Sequence, residues 1–388
     1  MQNLRLFDAV SLEPTWKNRI DRLEPSSALP PGRELKKVGA RLVDWYLAVM
    51  RPLPWRETKD PYKIWISEVM LQQTTVKAVI PHFQRFTGRF PTLDALANSR
   101  IDEVLEQWAG LGYYSRARNL HLAARELSHY VSEKKVWPKT NSQLIEFSGF
   151  GPYTANAVAS LAFEQKVGVL DGNVNRVLCR LFAMGEPWWT SESRAFLQRL
   201  VNAMISATDR PSSQTNQALM ELGATVCSPK NPSCFVCPVR SLCRGLKTGT
   251  LNQLPKPRER RAKEIWVWRP LVVIGRPSDR AEPLFLLSSN EQTPFLRGHL
   301  VPPGAARKVR VKPQSYLVRG VVTHHEIYVL PKIKKLSTQK MKRSIRSSTD
   351  FKDGSWVSFS ELKSRVPSSL VRSILEQALV AEDRSRKK

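Results

Sequence analysis

The stretch that most constrains this chain is residues 147–176, which combines a glycine-rich turn with an acid, Asp171, about twenty residues further on. It contains Gly149-Phe150-Gly151-Pro152 and continues through apolar residues to Ala162. Two glycines followed by a proline that suits a first helical turn predict a hairpin leading into a helix. The unpaired N–H groups at such a helix start would suit a phosphate, although a Gly-x-Gly pattern alone is more often only a turn.

An acid follows this turn at the start of the next predicted helix. Asp171 stands where an apolar run ends, and Val174, Val177 and Leu178 then share one helical stripe. An Asp in this position is usually just a helix N-cap. Combined with a phosphate-binding helix start, this carboxylate indicates chemistry on the backbone or sugar of a nucleic acid.

The charge of the chain also indicates a polyanionic partner. Its 388 residues include 61 Lys and Arg against 34 Asp and Glu, a formal net charge of +27. Nucleic acid is the simplest such partner, while a ribosome or an anionic membrane would fit the charge equally well. A hydrophobic fraction of 41% and 11 tryptophans argue against wholesale disorder, and the length is sufficient for two domains.

The sequence does not predict export or a membrane anchor. No apolar run approaches the roughly 20 residues that span a bilayer, and Asp8, Glu13 and Asp21 are atypical of a transit peptide. We expect a non-secreted, cytoplasmic, nucleoid-associated protein with no membrane partner. Its five cysteines are then reduced or metal-bound rather than paired as disulfides.

Composition and periodicity divide the chain into four predicted parts. These are a poorly ordered extension (1–35), a helical domain (36–250), a Pro- and charge-rich linker (251–264) and an α+β domain (265–388). In the last part we predict strands at 265–268, 271–274, 284–287, 316–322 and 326–330, helices at 360–366 and 368–378, and a mobile basic loop at 332–346.

Glu68 stands in a predicted helix among apolar residues. Ile64, Trp65 and Leu71 share its face, where a solvated Glu would normally have polar neighbours. A half-buried carboxyl has a raised pKa and retains its proton near neutrality. The alternative is a Glu that pairs with a Lys or Arg from elsewhere in the chain.

The segment 110–119 combines glycines and paired tyrosines, Tyr113 and Tyr114, with Arg116 and Arg118. This composition suits a turn that presents a ring for stacking on bases and cations for phosphates. Paired tyrosines are otherwise often part of a core.

Four cysteines predict one metal centre. A tetrathiolate site is indicated by separations of six, two and five residues between Cys227, Cys234, Cys237 and Cys243. The spacing leaves open a structural zinc and an iron–sulfur cluster. Cys179 lies beside Leu178 and near Phe182, and we predict that it is a buried core thiol.

Taken together, these motifs closely resemble one family, the adenine DNA glycosylases of the MutY kind in the helix-hairpin-helix glycosylase superfamily. The resemblance covers roughly residues 36–250, in the order of the family. The matching motifs are Leu53-Pro54-Trp55-Arg56, Ser67-Glu68-Val69-Met70-Leu71-Gln72-Gln73-Thr74, Gly110-Leu111-Gly112-Tyr113-Tyr114, Gly149-Phe150-Gly151-Pro152-Tyr153-Thr154-Ala155, Leu170-Asp171-Gly172-Asn173-Val174, Asn216-Gln217-Ala218-Leu219-Met220-Glu221-Leu222-Gly223 and the cysteine spacing.

The resemblance implies a multidomain protein. An all-α, two-lobed helix-hairpin-helix glycosylase domain with an iron–sulfur cluster loop would precede a C-terminal α+β Nudix-like domain. It implies a [4Fe-4S] cluster on Cys227, Cys234, Cys237 and Cys243. The implied reaction is hydrolysis of the N-glycosidic bond of adenine mispaired with 8-oxoguanine or guanine, in base-excision repair. The implied partner is double-stranded DNA that contains these mispairs, bound by a monomer.

The resemblance also implies catalytic roles. Glu68 matches the acid that protonates adenine on its five-membered ring, which makes the base a better leaving group. Asp171 matches the carboxylate that faces the sugar and stabilises positive charge at the anomeric carbon, and we expect the helix dipole to keep it ionised. Tyr153 and Asn173 match residues near the sugar and the catalytic water or carboxylate.

Further matches concern recognition of the base and the duplex. Arg56 and Gln217 match contacts to the extruded adenine. Gln73 and Tyr113 match residues that wedge into the duplex around the damaged guanine. The implied DNA-binding residues of the helical domain are Gln72, Gln73, Thr74, Leu111, Tyr113, Gly149 and Gly151.

A lysine that some relatives possess is replaced in this chain. Relatives that also cut the DNA backbone have a Schiff-base lysine at the end of the hairpin, where this chain has Tyr153. The resemblance therefore implies a glycosylase with no more than weak lyase activity. The alternatives are a pyrimidine-damage glycosylase/lyase of the same superfamily and a non-catalytic damage-binding protein.

The C-terminal domain resembles the Nudix-like module of the family more weakly. It lacks the acidic cluster with which a Nudix pyrophosphatase binds magnesium, so nucleotide hydrolysis is not expected. Val322-Thr323-His324 aligns with the Phe-Ser-His loop by which the family recognises 8-oxoguanine, with Val322 in place of the aromatic residue. Alternatively, His324 and His325 are simply surface histidines on a strand.

Overall fold

The chain is described here from a computed structural model. The structure describes residues 28–258, 262–278, 282–336, 339, 354–366 and 368–386. Contacts between Cα atoms separate two compact units, one formed by 1–99 and 118–259 and the other by 100–117 and 260–388. Of the predicted extension, residues 1–27 lie outside the described residues, and Gly32 already begins a helix. No helix in the described part of the chain is long and apolar enough to cross a membrane.

The regular elements in the described part of the first unit are all helices. Helices up to residue 258 are α1 (Gly32–Val49), α2 (Pro61–Leu71), α3 (Val76–Arg89), α4 (Leu93–Ala97), α5 (Ile101–Trp108), α6 (Tyr114–Lys134), α7 (Asn141–Leu144), α8 (Pro152–Phe163), α9 (Gly172–Leu181), α10 (Ser191–Ala207), α11 (Ser212–Thr225) and α12 (Arg244–Lys247). Helix α5 and the first residues of α6 group with the second unit.

Helix α2 is the central element of this unit because it is apolar on nearly every side. Asp60 caps it, with its Oδ1 accepting the N–H of Tyr62 at 2.9 Å, and Pro61 suits the first turn. Every residue from 64 to 70 is buried, including Glu68. A helix that is apolar all round belongs in a core, which explains why a carboxyl on it is withdrawn from water.

The predicted hairpin leads directly into α8. This helix buries small residues, among them Ala155, Ala157 and Ala159, which let it pack closely against α2. The ring of Phe150 stacks on Trp65 of α2, with centroids 5.1 Å apart and planes 18° apart. The hairpin and the helix that bears Glu68 are therefore packed together.

The second unit is a mixed sheet with helices, which agrees with the predicted α+β class. Its strands are β1 (Glu264–Gly275), β2 (Leu284–Ser289), β3 (Leu300–Val301), β4 (Gly304–Val309), β5 (Val318–Val322), β6 (His325–Val329), β7 (Lys332–Leu336) and β8 (Gly354–Ser358). Helices α13 (Leu362–Arg365) and α14 (Ser369–Arg386) follow. Among the described residues the sheet order is β3-β2-β1-β6-β5, with β4 and β7 paired to β1 and β8 to β2.

Two sequence predictions for this unit are wrong. Strands predicted at 265–268 and 271–274 are one strand, β1, which changes partners near Pro270 from β4 and β6 to β2 and β7. A proline has no N–H for the ladder, so such a change is expected there. The predicted loop 332–346 begins as strand β7, parallel to β1, and most of its remainder lies outside the described residues.

A close helix contact in the first unit gives a stability prediction. A Cβ at Gly39 of α1 would collide with Thr208, lying 3.1 Å from its Cβ and closer still to its Oγ1, and Thr208 is buried and hydrogen-bonded to Met204 O at 2.7 Å. We expect Gly39→Ala to destabilise the protein by about 1–3 kcal/mol. Exposed Gly88 in α3 has nothing within 4 Å of an added Cβ, so Gly88→Ala is the matched control and should stabilise by up to about 1 kcal/mol. Denaturant unfolding of both variants would test this, and equal effects would contradict it.

Candidate active site

A cavity of about 1100 Å³ lies in the first unit, at the start of α8. Its walls come from α2 and the loop after it, from the first turns of α8 and α9, and from α11. Nine residues that the sequence singled out line it: Arg56, Glu68, Gln72, Gln73, Thr74, Tyr153, Asp171, Asn173 and Gln217. Residues distant in the chain are thus brought to one site.

Glu68 is more deeply buried than the sequence suggested. Only 3% of it is exposed, and the Tyr153 hydroxyl donates to its Oε2 at 2.5 Å. Burial raises the pKa of Glu68 to about 7, although the Tyr153 hydrogen bond lowers it. The negative charge of Asp171 raises the Glu68 pKa further, which places the two carboxyls within electrostatic reach of each other.

Asp171 caps the N-terminus of α9 and also lines the cavity. Its Oδ1 accepts the N–H of Val174 at 2.6 Å, and its Oδ2 accepts from the Asn173 side chain at 3.0 Å. Burial raises the pKa of Asp171, while these hydrogen bonds and Arg176 lower it. The net effect is a raised pKa, so the expectation that the helix dipole keeps Asp171 ionised omitted the desolvation of a partly buried carboxyl.

Arg56 and Gln217 are held by partners that sequence reasoning missed. The buried carboxylate of Glu221 accepts from Arg56 Nη2 at 2.6 Å and from Arg51 at 2.6 and 2.8 Å. Tyr46 donates its hydroxyl to Gln217 Oε1 at 2.9 Å, and its ring lies 5.3 Å from the Arg56 guanidinium. The only signal in the sequence for these contacts was the position of Glu221 among apolar residues of α11.

The loop after α2 has strained backbone at a residue predicted to contact DNA. Gln73 has a φ of +56°, in the left-handed region that disfavours most side chains. Its neighbours are tied down, since Gln72 donates to Thr154 Oγ1 at 3.2 Å and the hydroxyl of Thr74 donates to Gln72 O at 3.3 Å. Such strain is often found at functional sites.

Only one of the two glycines in the hairpin has a backbone conformation that favours glycine. Gly149 has a φ of +77°, and a Cβ there would lie 3.2 Å from Asn119 Cβ. Gly151 caps α8 with ordinary dihedrals and open space around it. A carboxylate from α6 fixes the turn, because Glu126 accepts from the Ser148 N–H at 2.8 Å and from its hydroxyl at 2.6 Å.

The turn before α6 belongs to the second unit. Its two candidate DNA-binding residues differ in exposure. Tyr113 is 59% exposed with a φ of +49°, and the Arg116 guanidinium lies 5.3 Å from its ring centroid. Leu111, also predicted to contact DNA, is buried. The sequence could not separate these neighbours because both follow a glycine in the same motif.

The four cysteines lie near one another, and two of them contact Arg180 of α9. Burial raises the pKa of Cys237 to about 11, and charges on the other three sulfurs raise it too, which places all four close together. Buried Arg180 donates to Cys227 Sγ at 3.5 Å and to Ser228 O at 2.6 Å. The expected core position of Cys179 is confirmed, since it is 1% exposed and burial raises its pKa to about 12.

Arg176 connects the cysteine loop with the residues around Asp171. Its Nε donates to Cys227 O at 2.8 Å, and its Nη2 donates to Asn173 Oδ1 at 2.8 Å and to Gly223 O at 2.7 Å. A Cβ at Gly223 would lie 2.6 Å from Asn173 Cβ, so a larger residue would displace Asn173. The sequence offered no signal for this link beyond an Arg near Asp171.

The candidate recognition turn of the second unit is a two-residue hairpin. Thr323 and His324 join β5 to β6, and Thr323 has a φ of +56°. His325, the first residue of β6, is buried, and its ring centroid lies 4.0 Å from that of His324. The interpretation as a pair of surface histidines on a strand is therefore wrong for His325.

Comparisons with known proteins find similar sequences. Residues 66–203 match the family described as HhH-GPD superfamily base excision DNA repair protein. Adenine DNA glycosylase of Rattus norvegicus is 43% identical over 226 residues, which are 55% of this chain and 43% of that protein. For the Homo sapiens enzyme the identity is 44% over 223 residues, 55% of this chain and 40% of that protein. The adenine DNA glycosylase of Buchnera aphidicola subsp. Baizongia pistaciae is 37% identical over 216 residues, 55% and 59% of the two chains. The chain spans about half the length of these relatives.

The burial of Glu68 gives a prediction for stability against pH. Its folded pKa of about 7 lies above the ordinary 4.5, so folding favours the protonated form, and this contribution is lost as pH rises through about 7. A glutamine side chain at this position has no charge to bury. We therefore expect Glu68→Gln to gain free energy of unfolding relative to the wild type between pH 5 and pH 8, by about 2–3 kcal/mol. Denaturant unfolding at both pH values measures this. Glu146→Gln, at an exposed carboxylate, is the control, and a pH-independent difference for Glu68→Gln would contradict the prediction.

Proposed function

Because the helical part of this chain belongs to the MutY family of helix-hairpin-helix glycosylases, we propose that it excises adenine from mispairs in double-stranded DNA during base-excision repair. The observation that carries the proposal is a pair of carboxyls on one cavity, the buried Glu68 and the partly buried Asp171. The similarity to adenine DNA glycosylases, together with this site, supports both the excision of adenine and the DNA partner.

Glu68 supplies the proton in the proposed reaction. Tyr153 occupies its Oε2, which leaves Oε1 to hold the proton and direct it toward a nitrogen on the five-membered ring of adenine. A carboxyl with a pKa of about 7 is an effective general acid at neutral pH. As the glycosidic bond breaks, its electron pair goes to the protonated base, which leaves as neutral adenine.

Asp171 stabilises the sugar that remains. Loss of adenine leaves positive charge on the anomeric carbon, and a nearby carboxylate offsets it in a site shielded from water. The hydrogen bonds from Val174 and Asn173 favour the ionised form and hold the carboxylate in place. Water then adds to the anomeric carbon and gives its proton to the Glu68 carboxylate that the first step left ionised, which completes the hydrolysis.

The group around Glu221 positions the adenine. The base must leave the stack before Glu68 can reach it, and Arg56 and Gln217 on the cavity wall would bind its edge. Arg56 keeps three of its five N–H donors beyond the bonds to Glu221 and to Arg51 O. Its orientation is set before the base arrives, which lowers the entropic cost of binding.

The mispaired partner, 8-oxoguanine or guanine, is recognised away from the carboxyls in this proposal. Gln73 and Tyr113 enter the duplex around the partner base, and Thr323 and His324 of a Nudix-like second unit contact 8-oxoguanine. Gln73, Tyr113 and Thr323 all have positive φ, as functional residues under strain often do. With Tyr153 where relatives have a lysine, we propose a monomeric, nucleoid-associated cytoplasmic glycosylase without strong lyase activity.

A [4Fe-4S] cluster fits the cysteine site better than zinc. A tetrahedral zinc with Zn–S bonds of about 2.3 Å draws its sulfurs to within roughly 4 Å of one another. Among the described residues, no three cysteine sulfurs lie within 4.8 Å of one another, although the other three are close enough to raise the pKa of Cys237. When bound, such a cluster would be held by the four thiolates and would tie their loop together, with Arg180 donating to Cys227.

The proposed acid gives a kinetic prediction. Glu68→Gln and Asp171→Asn should each lower single-turnover excision from an 8-oxoguanine·adenine duplex by at least about 100-fold, because each removes a group that acts in the transition state. Duplex binding should persist in both variants. Excision at the normal rate by either variant would refute the assigned role.

The pH profile tests the same acid independently. Wild-type excision should fall above pH 7, where Glu68 loses its proton. Since the Tyr153 hydroxyl lowers the Glu68 pKa, Tyr153→Phe should move this alkaline limb to higher pH. A limb that stays in place in Tyr153→Phe would mean that another group controls it.

The metal centre gives a spectroscopic prediction. Purified protein should show the broad visible absorption of an iron–sulfur cluster, whereas a zinc protein would be colourless. Cys237→Ser should lose most of this absorption. Cys179→Ser, which removes a buried thiol outside the cluster, should keep it. A colourless wild type that holds zinc would contradict the proposed cofactor.

A further inference from the structure

A second group of metal-binding side chains lies in the second unit, beside the turn of Thr323 and His324. Among the described residues, one set of histidine, cysteine and acidic side chains has three ligand atoms within 4.8 Å of one another, and it consists of Glu264, His324 and His325. Glu264 Oε2 is 3.6 Å from His325 Nε2. The two imidazole rings lie side by side, with planes 36° apart.

The backbone holds these three residues in register. Glu264 begins β1 opposite His325 in the parallel β1–β6 pair, and its N–H donates to His324 O at 2.9 Å. Successive residues of a strand normally point to opposite faces. Here the turn places His324 outside the strand, so that both rings lie on the side of Glu264. The site is therefore fixed by main-chain hydrogen bonds rather than by flexible side chains.

The ligand types define the chemical class of the ion. Two imidazoles and one carboxylate suit zinc and its neighbours in the first transition row, rather than magnesium or calcium, which prefer oxygen alone. Three protein ligands leave a fourth position open. Trp266 Nε1 donates to Glu264 Oε2 at 3.0 Å and would orient the carboxylate, as outer hydrogen bonds do at metal centres.

One neighbour competes with a cation for this carboxylate. The Lys308 ammonium lies 2.6 Å from Glu264 Oε1, in a pair that is exposed on the lysine side. Exposed pairs of this kind are weak, and they yield to a multiply coordinated ion. Lys308 should therefore weaken cation binding without preventing it.

We propose that Glu264, His324 and His325 bind a divalent ion of the zinc class, and that this ion holds His324 away from the DNA. The first half stands on the geometry alone. The second half rests on the proposed function, in which His324 contacts 8-oxoguanine. A bound ion and the damaged base would then compete for the same imidazole, and available zinc would reduce the preference for 8-oxoguanine over guanine.

Zinc titration of the full-length, cluster-loaded protein against a chromophoric chelator tests the site. We expect one zinc site, weakened at least about tenfold in Glu264→Gln, His324→Asn and His325→Asn. His129→Asn, at an exposed histidine of the other unit, should leave the affinity within about twofold. Lys308→Met should tighten it. Unchanged affinity in the three ligand variants would overturn the proposal.

Zinc-edge X-ray absorption of the one-to-one complex identifies the ligands directly. We expect imidazole nitrogen and oxygen at about 2.0–2.2 Å. A sulfur shell at about 2.3 Å would place the zinc on cysteines and refute the site. The visible absorption of the cluster should stay constant through the titration.

Excision assays test the second half separately. Zinc should lower the ratio of excision opposite 8-oxoguanine to excision opposite guanine in the wild type, and leave the ratio unchanged in Glu264→Gln. An unchanged ratio in the zinc-loaded wild type would refute the competition. Absence of excision from either duplex, with or without zinc, would instead refute the proposed function, and the zinc titration would still report on the site.

Discussion

Burial of the Glu68 carboxyl next to Asp171 is the constraint on which the rest of the site depends. An ionised carboxylate without a cation partner is costly to bury, so Glu68 keeps its proton to near neutrality. The apolar helix α2 enforces this, and the Tyr153 hydroxyl moderates it. Asp171 is only partly buried, and hydrogen bonds from Val174 and Asn173 stabilise its charge. Burial raises the pKa of both acids in this cavity, and Asp171 accepts more hydrogen bonds that offset part of the rise.

Contacts outside the cavity hold the elements that bear both acids, and the residues in contact are not adjacent in the sequence. Phe150 stacks on Trp65, so the hairpin and the helix of Glu68 are one packing unit. Arg176 joins Asn173 to Cys227, so the cysteine loop and the N-terminus of α9 share hydrogen bonds. The geometry of the site therefore depends on contacts well outside the cavity, including those of the cysteine loop.

Local patterns in the sequence sufficed for some features of this protein and failed for others. Apolar spacing and caps predicted the helices around Glu68 and Asp171, because these signals are confined to one or two turns. The Glu221 pairs with Arg51 and Arg56 span some 165 to 170 positions, and no local pattern encodes them. Strand β1 was divided because Pro270 is a local breaker, whereas pairing with different neighbours on either side keeps it continuous. Leu111 was assigned by motif, and only packing shows that it is buried.

The positive φ of Thr323 has a consequence for engineering this protein. A β-branched residue is poorly suited to that backbone conformation, and glycine there would relieve the strain. Selection for heat resistance alone would therefore favour glycine and remove the hydroxyl that lies beside both histidines. A library screened only for thermal tolerance would therefore lose this hydroxyl, so the position has to be held constant while other sites are varied.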